Sequence, residues 1–215
     1  MSQIKIYRIL HIENIPHILS NGITHKDSPH ANSDFVGIGD LSLINNRNTR
    51  RVNVDNGNTF NTIETITLGD FTPFYFGVKM PMLYVIQNGG NFVEKANSPE
   101  NVIYVACSAE SIIKSGLRYY FSDGHATDFL TTFYNKDEAD QLPQIVDWTA
   151  VKTPYWGGQE NLNIKRKKQA EFLVQGDIPS DFIVGLGCYN NFAKQKLMGF
   201  GVDEQLVKVI PNAYY

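Results

Sequence analysis

The sequence predicts an α+β fold built on a central, largely antiparallel or mixed β-sheet flanked by helices. Short runs that read as strands outnumber those that read as helices, and no regular β-α-β alternation appears. No internal repeat or low-complexity segment divides the chain. With 215 residues, 42% of them hydrophobic and 19% charged, it suits a single domain over residues 1–215 with a substantial core.

Taken in order, residues 4–9 (IKIYRI) alternate apolar and polar, a strand signal. Asn14 then suits a helix N-cap, Pro16 fits the first turn, and Asn21-Gly22 supplies the stop. Arg8 and His11 thus fall at a strand-to-helix junction, where unpaired backbone N–H groups attract anions. From 24 to 68 periodicity lapses into Asn, Asp, Gly, Ser and Thr, interrupted by the apolar runs 35–38 and 41–44. Structureless stretches of this length inside a domain are functional or disordered. Arg47, Arg50 and Arg51 lie there, as solvated loop charges or as a loop that folds over a phosphate-bearing ligand.

Residues 70–78 (DFTPFYFGV) read as a strand with Pro73 at an edge or bulge, and 80–86 (MPMLYVI) as either strand or helix. Residues 102–107 form a buried strand, Ser108 caps a helix through Lys114, and Gly116 ends it. Residues 118–121 return as a strand, and the turn at 122–125 precedes a helix over 127–134. A polar, aromatic loop at 147–160 leads to strands at 172–174 and 182–188. A helix capped by Asn190 or Asn191 runs to Gly199, before a last strand at 207–210. Leu19, Ile103, Val105, Phe129 and Leu173 read as core.

A net charge of −3 excludes a general polyanion binder, so any nucleic-acid site has to be local. Cys107 and Cys188 sit in apolar runs without metal-like spacing and are expected as buried thiols. The histidines show no zinc spacing: His11 and His17 are six apart, His25 and His30 five apart. Walker, GxGxxG, HExxH and CxxC motifs are absent. Residues 1–10 lack the apolar core of a signal peptide, and no apolar run nears the ~20 residues that span a bilayer. The expectation is a cytoplasmic protein with neither membrane span nor metal.

The densest cationic cluster, Lys165, Arg166, Lys167 and Lys168, runs directly into Gln169-Ala170-Glu171-Phe172-Leu173-Val174. A carboxylate that opens an apolar strand carries a desolvation penalty unless it has a partner or a task. Taken alone it reads as a solvated edge glutamate beside a basic loop, or as a working acid.

Five blocks, in order, decide between these. They are Tyr7-Arg8-Ile9 with His11-Ile12-Glu13-Asn14-Ile15; Arg47 with Arg50-Arg51-Val52; Phe74-Tyr75-Phe76 with Pro81-Met82-Leu83; Ser122-Asp123-Gly124-His125-Ala126; and Gln169-Ala170-Glu171-Phe172-Leu173. Together they resemble the DarT toxins, DNA ADP-ribosyltransferases, over nearly the entire chain.

The resemblance implies an ADP-ribosyltransferase-like fold with a split sheet. It also implies cleavage of NAD at the nicotinamide–ribose bond and transfer of ADP-ribose to thymine or guanine in single-stranded DNA. By that resemblance Glu171 is the catalytic acid that steadies an oxocarbenium-like ribose. Arg47 assists it and clamps the NAD phosphates, a safer role than base for an arginine. Arg8, Ile9, Leu10 and His11 are expected to grip nicotinamide through the backbone. Relatives that carry histidine at the position of Arg8 leave its side-chain role open. Tyr75 either stacks on nicotinamide or packs in the core.

His125 is expected to reach the acceptor base. Tyr155, Trp156 and Lys165, Arg166, Lys167 and Lys168 are expected to hold DNA, with 24–68 covering NAD and 147–168 facing DNA. The implied partners are single-stranded DNA and an antitoxin of macrodomain type that removes ADP-ribose, with the toxin itself a monomer. The competing readings are a transferase that acts on protein or RNA and a silent single-strand-binding module. Intact Glu171 and Arg47 argue against the silent module.

Overall fold

The computed structural model describes residues 4–58, 64–89, 93 and 95–215. Its strands are β1 (Lys5–His11), β2 (Arg51–Val54), β3 (Glu64–Thr67), β4 (Phe71–Tyr75) and β5 (Val102–Ser108), then β6 (Tyr119–Ser122), β7 (Phe133–Tyr134), β8 (Glu171–Gln175), β9 (Ile183–Cys188) and β10 (Val207–Val209). The helices are α1 (Ile15–Asn21), α2 (Leu41–Thr49), α3 (Pro81–Asn88), α4 (Ala109–Ser115), α5 (Leu142–Ile145), α6 (Trp148–Lys152), α7 (Leu162–Lys168) and α8 (Asn191–Gly199). The strands join in the order β10-β9-β5-β1-β4-β8-β6-β7-β2-β3. Among the described residues only β9–β10 and β2–β7 run parallel, so the sheet is mixed and mostly antiparallel, as the sequence predicts.

The sheet is split in the middle. β1 pairs with β5 along its whole length, and β4 with β8 along all five of its residues. Between β1 and β4 one pair remains, Tyr7 with Tyr75. The Pro73 carbonyl instead accepts from Arg8 Nη1 at 3.0 Å. Pro73 has no N–H to lose at an open edge, so the sequence signal for an edge marks this seam inside the sheet.

The core lies on both faces of the two half-sheets. Every residue of β5 is buried, as its unbroken apolar run requires, and Ile103, Val105 and Leu173 are fully enclosed. Cys107 and Cys188 are buried free thiols. Leu19, by contrast, is 36% exposed and Phe129 86% exposed, so neither belongs to the core. Among the described residues no helix is long and apolar enough to cross a membrane.

Three stretches differ from expectation. The 24–68 stretch holds α2, β2 and β3, so the irregular part shrinks to 24–39; residues 59–63 lie outside the described residues. Asp40 starts α2 by accepting from the Ser42 and Leu43 N–H groups, at 2.9 and 3.1 Å. The irregular part is tied down by side chains from elsewhere, the buried Asn14 and the half-buried Asp177. Asn14 does not cap its helix; it brackets Val36, accepting its N–H and donating to its carbonyl, both at 2.9 Å. Asp177 accepts from His25 N–H at 2.8 Å and from the Ser28 hydroxyl at 2.6 Å.

Residues 127–132 make turns instead of the expected helix. Asp123 accepts from Thr132 N–H, Asp128 from Leu130 N–H, and the Thr131 hydroxyl donates to the His125 carbonyl. Such side chains offer the backbone a closer partner than the next helical turn does. The basic run, expected as loop, is the last turn of α7, where its cations face the negative end of the helix. The segment 80–86, open between strand and helix, is helical because Pro81 sits in the first turn of α3.

α2 buries none of its residues yet stands against the β3–β4 connection. Gly69 permits this approach. A Cβ there would lie 2.7 Å from Asn48 Cα and 2.8 Å from its carbonyl oxygen, both backbone atoms that cannot rotate away. We therefore expect Gly69→Ala to destabilise the protein by about 1–3 kcal/mol in urea denaturation. Activity should fall further than the lost stability explains, because Arg47 precedes Asn48 on the displaced helix.

Candidate active site

Glu171 opens β8 directly opposite Tyr75 of β4, with 1% of its surface exposed. A carboxylate so buried needs a full set of partners. Arg47 Nη1 donates to Oε1 at 3.1 Å, and the Ala126 N–H to the same oxygen at 3.0 Å. Arg47 Nη2 lies 2.9 Å from Oε2 but off the axis of a hydrogen bond, so Oε2 keeps its lone pairs for another donor. Burial pulls the Arg47 guanidinium down, and the charge and hydrogen bond of Glu171 outweigh it and hold Arg47 above its ordinary range. Arg47 is therefore a fixed cation and not a proton acceptor.

Arg47 comes from α2, whose Asp40, Leu43, Ile44 and Arg47 recur at helical spacing and line one cleft. This was the missed signal in the sequence: an Asp N-cap followed by i, i+3, i+4, i+7, obscured by asparagines of poor helix propensity.

Two clefts meet at Arg8, Phe35, Ile44, Arg47 and Pro73. One continues along Ile9, Leu10, Ile38, Tyr75 and Met82 to His125; the other passes His25, Asn48 and Gly69. Arg8 is half-buried in the seam. Burial first, and the nearby Arg47 charge second, lower it to about 10, which leaves it cationic at neutral pH. Its Nε has no hydrogen-bond partner, an orphaned donor inside the junction. Burial, and then the Glu171 charge, raise the Tyr75 phenol, keeping it neutral beside the pair.

Arg8, Ile9, Leu10, Arg47 and Tyr75 thus line one cleft. His11 does not: it ends β1, where its Nδ1 accepts from the Glu13 N–H at 3.3 Å, away from the lining of either cleft.

A third cleft lies on the far side of His125, lined by Met82, Phe129, Leu130, Trp156, Leu162 and Lys165 among others. His125 therefore stands in the wall between this cleft and the Glu171 side. Its Nδ1 is 3.0 Å from the Thr127 hydroxyl, and burial lowers its pKa, so the ring is neutral at neutral pH. Trp156 is held by its N–H, which donates to the Tyr215 hydroxyl at 2.7 Å, and by edge contacts to Tyr84 and Tyr215. Tyr155 is 80% exposed.

The basic run divides. Lys165 is exposed, its ammonium 5.4 Å from the Trp156 ring centre. Lys167 pairs with Asp147 at 3.0 Å. Arg166 pairs with Asp123 at 2.9 Å with 9% of its side chain exposed. Lys168 is 2% exposed and donates to the Val151 carbonyl; burial, followed by Lys79, pushes it down to about 8. Arg166 and Lys168 do not form the expected surface track, because the helix turns their long apolar stems inward. Among the described residues no group of His, Cys, Asp and Glu is arranged to hold a metal ion.

The family model described as ssDNA thymidine ADP-ribosyltransferase, DarT, matches residues 7–215. A DNA ADP-ribosyl transferase of Thermus sp. (strain 2.9) is 30% identical over 210 residues, covering 97% of this chain and 89% of that one. One from Escherichia coli O127:H6 is 30% identical over 193 residues, covering 89% and 83%. The solved structure of Thermus sp. 2.9 DarT in complex with ADP-ribosylated ssDNA superimposes with a TM-score of 0.81 at 26% identity, covering 100% of this chain and 98% of that one. The same protein in complex with NAD+ gives 0.75 at 25% identity, covering 100% and 99%. With the seam, the buried Glu171–Arg47 pair and the whole-length match together, this chain belongs to the DarT family of single-stranded-DNA ADP-ribosyltransferases.

Proposed function

We propose that this protein binds NAD across the two joined clefts and transfers its ADP-ribose to thymine in single-stranded DNA, releasing nicotinamide. The observation that carries this reading is the buried Glu171, whose Oε2 retains unused acceptor capacity where the sheet opens. The residues fit the co-substrate. Arg8 and Arg47 place two cations at the junction for the diphosphate, and Arg8 Nε is a buried donor without a partner. Glu171 Oε2 offers an acceptor to a ribose hydroxyl. Ile9 and Leu10 line the cleft on the edge of β1 that faces the seam, a place for the nicotinamide amide.

In the reaction the nicotinamide–ribose C–N bond breaks, and its electron pair leaves on nicotinamide. The ribose gains positive charge, which Glu171 stabilises through the hydroxyl it holds; a ring nitrogen of the base then bonds to the anomeric carbon. In thymine that nitrogen bears a proton, which is released to solvent as the new N–C bond forms, so that nicotinamide and one proton leave together. His125, neutral and placed between the two sides, contacts the base, while Arg47 keeps Glu171 aimed.

Lys165, Trp156, Tyr155, Phe129 and Leu130 form the DNA face, a cation beside exposed rings that stack bases. We infer a monomer that acts in the cytoplasm. Thymine follows the description of the matching family model. A relative from Thermosipho africanus is a fusion of DNA ADP-ribosyl transferase and DNA ADP-ribosyl glycohydrolase. For this protein we infer a partner antitoxin activity of macrodomain type that removes the modification.

Mass spectrometry after incubation with NAD and a mixed-sequence oligonucleotide should show an ADP-ribose increment that fragmentation places on thymine. An increment on guanine corrects the base, and one on protein or RNA alone overturns the reading. Glu171→Gln should lose about 10²-fold or more in transfer rate and stay folded. Glu171→Ala is the poorer test, because it also removes the oxygen that accepts from Arg47 Nη1 and the Ala126 N–H and leaves a cavity behind. Transfer should hold as pH falls through neutrality and fail only below pH 6.5, because His125 titrates below its ordinary value; an acid limb centred above 6.5 contradicts its role. Lys165→Glu should raise the oligonucleotide KM several-fold and leave hydrolysis of NAD by water unchanged.

A further inference from the structure

The most basic segment of the chain contains an arginine that faces away from the surface. We propose that Arg166 is a positioning residue that holds the turn at 122–126 so that the Ala126 N–H and His125 stand in register with Glu171. This rests on the reading of Glu171 given above.

The turn has three attachments to Arg166. The guanidinium Nη1 donates to Asp123 Oδ1 at 2.9 Å and reaches the Thr131 hydroxyl oxygen at 3.4 Å. The Arg166 carbonyl accepts the His125 N–H at 3.0 Å. The same Asp123 oxygen accepts the Thr132 N–H at 3.0 Å, and the Thr131 hydroxyl donates to the His125 carbonyl at 2.8 Å. His125 is therefore gripped at both its N–H and its carbonyl. Nε of Arg166 donates to Asn163 Oδ1 at 3.3 Å, which fixes the guanidinium on its own helix. A Cβ on Gly124 would lie 2.5 Å from Arg166 Nη1, so the guanidinium packs on the bare backbone of the turn. No larger residue fits there without displacing it.

The other end of the turn delivers this order to Glu171. The Ser122 hydroxyl donates to the Gly124 carbonyl at 2.7 Å and accepts the Glu171 N–H at 3.1 Å. The Ala126 N–H, two residues beyond Gly124, donates to Glu171 Oε1 at 3.0 Å. Turn and carboxylate are thus joined through backbone and side chain, and the chain of bonds ends on Arg166. Side-chain networks with every member satisfied fix a single geometry. With Asp123 and Thr131 holding Nη1 and Asn163 holding Nε, Arg166 is anchored to the protein although it borders the acceptor cleft. A backbone donor moved by half an ångström loses much of its hydrogen bond to Glu171, which costs rate and not affinity for DNA.

Arg166→Gln, Arg166→Lys, Asp123→Asn and the double variant Arg166→Gln/Asp123→Asn separate this role from phosphate contact. NAD hydrolysis without DNA, kcat and oligonucleotide KM are measured at several salt concentrations, with thermal melting in parallel. Arg166→Gln and Asp123→Asn should each lower both NAD hydrolysis and kcat about tenfold, with KM and its salt dependence unchanged. Arg166→Lys, which keeps a cation against Asp123, should recover part of the loss. The double variant should be no slower than the worse single, because both remove one contact. Unchanged NAD hydrolysis with a raised KM and a salt slope shallower by about one unit overturns the proposal in favour of a phosphate contact. Additive losses in the double variant also overturn it. If Arg166→Gln does not fold, Asp123→Asn and Arg166→Lys decide by the same readouts. If the wild type transfers to no oligonucleotide, the functional reading fails, while the NAD-hydrolysis arm still tests the placement.

Discussion

The buried ion pair between Glu171 and Arg47 is the constraint to which the rest of the structure answers. A carboxylate 1% exposed is unfavourable unless its charge is matched, and removing one member of such a pair typically costs about 3–5 kcal/mol. The partners come from residues 124 apart in the chain, so the pair forms only when α2, the turn at 122–126 and β8 are all in place. α2 reaches Glu171 because Gly69 lets its backbone come close; the turn because Asp123, Ser122 and Thr131 bind it internally. The acid is thus aimed by parts with no other visible reason to meet.

The same pair divides the labour of the site. Arg47 is a permanent cation and Tyr75 a neutral phenol, which leaves the neutral His125 as the titratable group on the acceptor side. One wall therefore separates a compartment that holds Arg8 and Arg47 from one that holds Trp156, Phe129 and Lys165. Phe129 and Leu130, exposed at 86% and 64%, are out of place in a core but well placed beside Trp156 and Lys165.

Much of this was legible in the sequence because the strands carry simple patterns. The alternation at 4–9, the continuous apolar run at 102–107 and the Ser108 and Asn190 caps all appear as predicted. Glu171 was recognisable as a charge at the start of an apolar run, and Arg47, Tyr75 and Arg8 came through the resemblance. What failed has a common cause. In 24–68, 127–134 and 165–168, polar side chains form the structure, and hydropathy does not record their hydrogen bonds. Asn14 reads as a cap and instead ties a loop 22 residues away; Lys168 reads as surface and is buried against Val151. Phe129 reads as core because it is apolar, although the turn made by Asp128 and Thr131 turns it outward.

The seam between β1 and β4 has a consequence for how this site changes with sequence. Beyond Tyr7 the facing edge of β1 is not committed to a ladder, so its main chain supplies part of the cleft floor. Peptide groups are the same in every residue except proline. A contact made through them survives ordinary substitution, so the side chains of Ile9 and Leu10 can change without erasing it, while Arg8 is held by its own bond to Pro73. Mutational scanning would then score Ile9 and Leu10 as tolerant although both line the cleft.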